Sequence, residues 1–138
     1  MTSTNKFWNL FETGKPLLSD GAMGTMLHQR GISVEGCFDC LNLSQPGVVA
    51  DLHREYIEAG AQIVQTNTFG ANRFKLAQHG MNDQLEAIIT AGVDLARRAV
   101  LASFKEVLIA GDVGPLGVRI APFGRVQMDE ARAAFTEQ

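Results

Sequence analysis

Three short apolar stretches of this 138-residue chain end in the same way. "LLSDGAMG" at 17–24, "QIVQTNTFG" at 62–70 and "VLIAGDVGP" at 107–115 each pass from aliphatic residues into an acidic or hydrogen-bonding residue, and then into glycine. Between them lie segments of helical period. "LNLSQPGVVADLHREYIEAG" sets Val48, Val49, Leu52 and Tyr56 on one helical face, offers Ser44 as a cap and Pro46 in the first turn, and stops at Gly60. The stretch 82–104 places Leu85, Ile88, Ile89, Val93, Ala96 and Val100 in an apolar stripe. Shorter helices are predicted for "AMGTMLHQRG", closed by Gly31, and for "ANRFKLAQHG", closed by Gly80. A last one begins at "MDEARAAFTEQ", where Asp129 and Glu130 suit the positive end of the helix dipole.

Strand, helix, strand, helix, strand, helix is the grammar of a parallel sheet crossed by helices, so the fold class is α/β. Strand 17–20 opens the series, and the strand before Gly111 reads as buried on both faces because its apolar run is continuous. An open doubly wound sheet and a closed (β/α)8 barrel both use this grammar, and three strands complete neither. A hydrophobic share of 46% and a charged share of 20% suit a globular domain. A net charge of −3 with no basic stripe argues against nucleic acid as a partner. No apolar run has the length of a membrane span, and "MTSTNKFWNLFETGK" lacks a signal-peptide core, so a cytoplasmic protein is expected.

In parallel α/β proteins the chemistry sits where strands end, because side chains and free backbone groups there face a shared mouth. Asp20, the run Thr66, Asn67, Thr68, Phe69, and the pair Asp112 and Gly114 are the polar and turn residues at these ends. The competing reading makes Asp20 a helix cap, Asp112 a turn cap, and the Thr-Asn-Thr run ordinary strand and turn chemistry. By parity, Thr66 and Thr68 share a face that Asn67 does not. "GAMG" lacks both the Walker lysine and the dinucleotide fingerprint. Cys37 and Cys40 form a CxxC in a glycine-flanked connection, without the strand-to-helix setting of a redox pair, and read as two thiols packed under a loop. A structural zinc site needs further ligands, and His28, His53 and His79 are scattered along the chain.

"LLSDGAMGTMLHQRG", "LNLSQPGVVADLHREYIEAGAQIVQTNTFGANRFKL" and "GDVGPLG", in this order and spacing, resemble the N-terminal part of the homocysteine S-methyltransferase domain. That domain occurs in cobalamin-dependent methionine synthases and in fusions with methylenetetrahydrofolate reductase. The resemblance implies a 1–15 extension followed by a partial domain over 16–138: the N-terminal part of a (β/α)8 TIM barrel, about three βα units, incomplete. It implies methyl transfer to the zinc-activated thiol of homocysteine, giving methionine, with cobalamin or methyltetrahydrofolate in the donor system and S-methylmethionine as the other donor class. Asp20 matches the acceptor for the substrate ammonium, and Gly21 lets the backbone approach. Thr66 and Phe69 match substrate contacts, and the backbone at Asn67 and Thr68 is a donor to the substrate carboxylate. Asp112 and Gly114 are mouth residues without an assigned role. The zinc cysteines of the family, one alone and two in a GGCC-like pair, are expected beyond Gln138; Cys37 and Cys40 match none of them, and no residue of the chain is assigned as a metal ligand or a catalytic group. The expected partners are homocysteine, a methyl donor and the C-terminal portion of the barrel. The alternatives are a non-catalytic truncated piece or binding module lacking the zinc site, and a small α/β redox protein using Cys37 and Cys40.

Overall fold

The longest helices form where apolar residues recur at helical spacing, and they pack on each other. A computed structural model describes residues 6–138, in the order α1 (Lys6–Phe11), α2 (Met23–Gln29), α3 (Leu41–Ser44), α4 (Pro46–Glu58), β1 (Ile63–Gln65), α5 (Arg73–Ala77), α6 (Leu85–Ser103), β2 (Leu108–Ala110) and α7 (Met128–Glu137). α4 starts with Pro46 at a position that needs no amide donor, and it buries Val49, Leu52, His53 and Ile57 along one side. It ends before Gly60, whose φ of 110° a side chain would resist. Ser44 does not cap it: the preceding turn is itself helical, and Ser44 Oγ donates to the Cys40 carbonyl at 3.1 Å inside α3. α6 is preceded by a single 3-10 turn, Asn82–Gln84, and buries Leu85, Ile88, Gly92, Leu95, Ala96 and Ala99. Its contact face is thus rotated from the expected stripe, leaving Ile89, Val93 and Val100 half-buried.

β1 and β2 pair in parallel, with Ile63 opposite Leu108, Val64 opposite Ile109 and Gln65 opposite Ala110. The predicted strand at 17–20 is reduced to one parallel bridge between Ser19 and Ile63, with the Gln62 amide donating to the Leu18 carbonyl (2.7 Å) and the Asp20 amide to the Ile63 carbonyl (2.8 Å). The chain leaves the ladder at Gly21, too early for a longer strand. Three parallel segments nevertheless lie side by side in chain order, their C-terminal ends at one edge. Val64 packs against Ile57, Ala61 and Ala99 beneath α4 and α6, while Leu27, Leu41, Val49, Leu52 and Leu95 form the neighbouring cluster. Each fully buried aliphatic side chain contributes about 1.5–3 kcal/mol. β2 is not buried on both faces as expected; Ile109 is 36% exposed, because it lies outside the cluster that covers Val64. α7 carries a capping box, with the Gln127 amide donating to Glu130 Oε2 at 2.7 Å, so Glu130 satisfies an amide as well as suiting the dipole. No helix among the described residues is long and apolar enough to cross a membrane.

His53 is wholly buried, and neither ring nitrogen has a hydrogen-bond partner among the described residues. Burial holds its pKa below the ordinary 6.5, against the opposing pull of Asp20. The unfolded chain therefore binds a proton as the pH falls through 6.5 while the folded chain resists it, so stability is flat above that value and declines below it. Urea midpoints measured across this range should fall more steeply for the parent chain than for His53→Leu; equal slopes would remove His53 as the cause.

Candidate functional site

The three strand ends converge on one polar edge. Asp20 sits at the end of the first segment, and its Oδ2 accepts the Gln65 amide at 2.8 Å while Oδ1 accepts Gln65 Nε2 and Ser19 Oγ, both at 3.2 Å. It does not cap α2, whose N-cap is Ala22 without a side-chain bond. A carboxylate at the end of a strand therefore extends the pairing onto β1 where the backbone has turned away. Beside it, a Cβ on Gly21 would lie 3.0 Å from Tyr56 Oη, the hydroxyl that donates to the Ala22 carbonyl at 3.0 Å. Glycine lets the turn lie against α4.

Thr66 and Thr68 do share a face, and their hydroxyls are committed to each other and to the turn after β2. The Asp112 amide donates to Thr66 Oγ1 (3.1 Å), and Thr68 Oγ1 donates to the Asp112 carbonyl (2.8 Å). Thr68 having spent its proton there, the 2.7 Å contact between the hydroxyls has Thr66 as donor. This closed ring ties the end of β1 to the turn after β2, and both threonines are buried. The Thr68 amide turns to the Thr66 carbonyl at 2.9 Å. Asn67 points the other way, as parity requires: its Nδ2 donates to the Phe38 carbonyl (2.8 Å) and to Asn42 Oδ1 (2.9 Å).

What reaches the mouth is Phe69, 52% exposed, with Lys75 Nζ 4.7 Å from the centre of its ring. The Gly114 amide holds the Phe69 carbonyl at 3.1 Å. Phe69, Asp112, Asn67, Lys75, Cys37 and Asp39 line one cleft of about 730 Å³, which also runs past Met23 and Gly70. Burial, and then the charge of Asp20, raises the Asp112 carboxyl above its ordinary value. The charge of Asp20 thus reaches Asp112 across the strand ends.

Asp39 is the residue that strand-end reasoning missed. It lies in the connection before α3, is 9% exposed, and accepts the Gly70 amide at 2.9 Å. Burial raises its carboxyl, against the Gly70 hydrogen bond and the Lys75 charge. The only available signal was a single acid between two cysteines. Those cysteines are not packed thiols: Cys37 and Cys40 are joined by a disulfide. Bonded sulfurs are not metal-binding thiolates, and among the described residues no group of three His, Cys, Asp or Glu side chains is placed to hold a metal. The described residues do not fit a zinc site. A second groove of about 570 Å³, lined by Leu116, Val118, Ile120, Met128 and Phe135 among others, is apolar and lies beside α7.

The family model described as homocysteine S-methyltransferase matches residues 17–138. The methionine synthases of Mycobacterium leprae (strain TN) and Mycobacterium tuberculosis (strain ATCC 25618 / H37Rv) are 33% and 35% identical to the chain, each match covering 88% of this chain and 11% of the relative. The homocysteine S-methyltransferase of Escherichia coli (strain K12) is 32% identical, covering 88% of this chain and 42% of the relative. Crystal structures of the homocysteine methyltransferase MmuM from Escherichia coli match as well. The metallated form has a TM-score of 0.72 at 31% identity, covering 82% of this chain and 42% of that one. The oxidised form has a TM-score of 0.74 at 32% identity, covering 83% and 42%. The chain therefore spans well under half the length of these relatives, and its α/β arrangement matches part of the methyltransferase structure.

Proposed function

Because the chain belongs to the homocysteine S-methyltransferase family, we propose that it supplies the amino-acid end of a pocket in which homocysteine receives a methyl group on sulfur and becomes methionine. The observation that carries this reading is the placement of Asp20. Its carboxylate is fixed at the strand-end edge by the Gln65 amide, and its charge is felt by Asp112. Asp112 lines the cleft and feels the charge of Asp20 from the neighbouring strand end, so this edge favours a cation, and a substrate ammonium is such a cation. Gly21 allows close approach, and the exposed ring of Phe69 offers an apolar wall for the carbon chain. In this reading Thr66, Thr68 and Asn67 hold the edge in shape, and Gly114 holds Phe69.

The family's zinc would supply a thiolate at neutral pH. We place its ligand set in cysteines beyond Gln138, and the steps assigned to this chain are binding and orientation. We read 16–138 as a partial domain of a TIM barrel in a cytoplasmic protein, with methylcobalamin, methyltetrahydrofolate or S-methylmethionine as the source of the methyl group. The non-catalytic reading, a truncated piece that associates with the rest of a barrel, is favoured by the exposure of Ile109, Phe123, Met128 and Phe135. Both readings predict ligand binding without turnover by these residues alone.

L-Methionine, which carries no free thiol, is the clean probe. Calorimetric titration of the chain should show binding, and Asp20→Asn should weaken it by about tenfold, or 1.4 kcal/mol, since asparagine keeps one oxygen to accept the Gln65 amide but loses the second acceptor and the charge. Equal affinity for the two proteins would sink the assignment of Asp20.

A further inference from the structure

The proposed function leaves the CxxC unused. The bond between Cys37 and Cys40 closes a four-residue ring, and the two residues inside it, Phe38 and Asp39, hold the end of β1. The Phe38 carbonyl accepts Asn67 Nδ2 at 2.8 Å, and Asp39 Oδ1 accepts the Gly70 amide at 2.9 Å. Gly70 is moulded to this acid, since a Cβ there would collide with Asp39 Oδ2. The two sulfurs differ in setting. Cys40 is 9% exposed and packs with Ala71, Leu76, Leu85 and Ile88, while Cys37, at the margin of the same cluster, is half-buried and lines the cleft. A small molecule entering the cleft therefore reaches Cys37 first.

We propose that the Cys37–Cys40 bond is a thiol-exchange site in the wall of the cleft, opened by a small thiol that attacks Cys37 and unlocks Asp39 from Gly70. The entering thiolate forms a bond to Cys37 Sγ as the bond to Cys40 Sγ breaks, and Cys40 leaves as a thiolate that takes up a proton. A second thiol, or the second arm of a dithiol, attacks the mixed disulfide. It releases the Cys37 thiol and leaves with the first as their own disulfide, so the two electrons and two protons gained by the protein are those lost by the reductant. With the ring open, Asp39 is tied to the edge by its single acceptor bond to the Gly70 amide, while Phe38 keeps its packing against the Leu27 cluster. Burial disfavours the Asp39 carboxylate, so the free loop moves outward and the mouth widens.

The test uses the whole chain, first shown by alkylation mass to hold no free thiol, and dithiothreitol as the reductant. Under conditions that leave the helical circular dichroism intact, both cysteines should become alkylatable, and the Gly70 amide should exchange with solvent at least about tenfold faster. Trapping with 2-mercaptoethanol should place the mixed disulfide on Cys37, read by peptide mapping. The double variant Cys37→Ser, Cys40→Ser should exchange fast at Gly70 with or without dithiol. Thiols that appear only when the chain unfolds would overturn the proposal. So would reduction that leaves Gly70 exchange unchanged, an adduct on Cys40, or cysteines that cannot be brought to the bonded form. None of these readouts depends on homocysteine being the substrate, so the exchange site and the methyltransferase reading stand or fall separately.

Discussion

Asn42→Asp should destabilise the chain by about 3–5 kcal/mol at neutral pH, as expected for a buried charge left without a partner. Asn42 is 2% exposed and uses its whole amide. Nδ2 donates to the Asn67 carbonyl (2.8 Å) and the Ile88 carbonyl (3.1 Å), and Oδ1 accepts Asn67 Nδ2 (2.9 Å). Aspartate has the same shape and leaves no cavity, but it sets an anionic oxygen against two carbonyl oxygens. The desolvated carboxyl then titrates above its ordinary range, so at mildly acidic pH it is protonated in the folded chain and donates one of the lost bonds. The deficit relative to the parent should therefore shrink as the pH falls. Urea denaturation at unchanged slope measures both effects. A difference below about 1 kcal/mol would mean that the three bonds contribute no more than an ordinary surface site.

That knot also shows where sequence reading stopped. Period gives neighbours along one element: it located α4 to within a residue or two and α6 to within three, placed Gly60 and Gly31 at helix ends, and put Thr66 and Thr68 on one face. It says nothing of partners in another element. The Asn42 to Asn67 pair spans 25 positions, and the Gln65 amide on Asp20 spans 45. Without those partners Asp20 stands open between a helix cap and an acceptor for the substrate ammonium, and the partners of Thr66 cannot be read. With them, Asp20 is seen to accept the Gln65 amide and the Thr66 hydroxyl to bond Thr68 and the Asp112 amide. Asn72 was overlooked for a related reason. It is wholly buried and caps α5 by accepting the Phe74 and Lys75 amides, but a loop asparagine before a short helix carries little periodic signal. The buried face of α6 includes Gly92, invisible to an apolar count, where a Cβ would meet Asn42 and Thr68. Asp39 and the disulfide share one cause: a lone acid and a short cysteine spacing acquire meaning only when the cleft places them beside Gly70.

Gly114→Ala carries the same logic into the mouth. Gly114 is buried, and a Cβ there would collide with the Phe69 carbonyl and lie 2.7 Å from two atoms of its ring. The ring has room to swing, being half exposed, but the carbonyl is the acceptor of the Gly114 amide, so relief requires the 69 and 114 backbones to separate. Overpacking of this kind costs about 1–3 kcal/mol, while replacing glycine returns about 0.4–1 kcal/mol through the unfolded chain. The collision with backbone puts the cost at the upper end, and a net loss of about 2 kcal/mol is expected in urea denaturation. Affinity supplies the sharper discrimination. If Phe69 is a wall of the pocket, the folded variant should bind L-methionine about tenfold more weakly at temperatures where it remains fully folded, because binding reads the position of the ring and not the folded fraction. Lost stability with unchanged affinity would make the Gly114–Phe69 contact a matter of folding alone, and would leave Asp20 as the one strand-end side chain argued to meet the substrate.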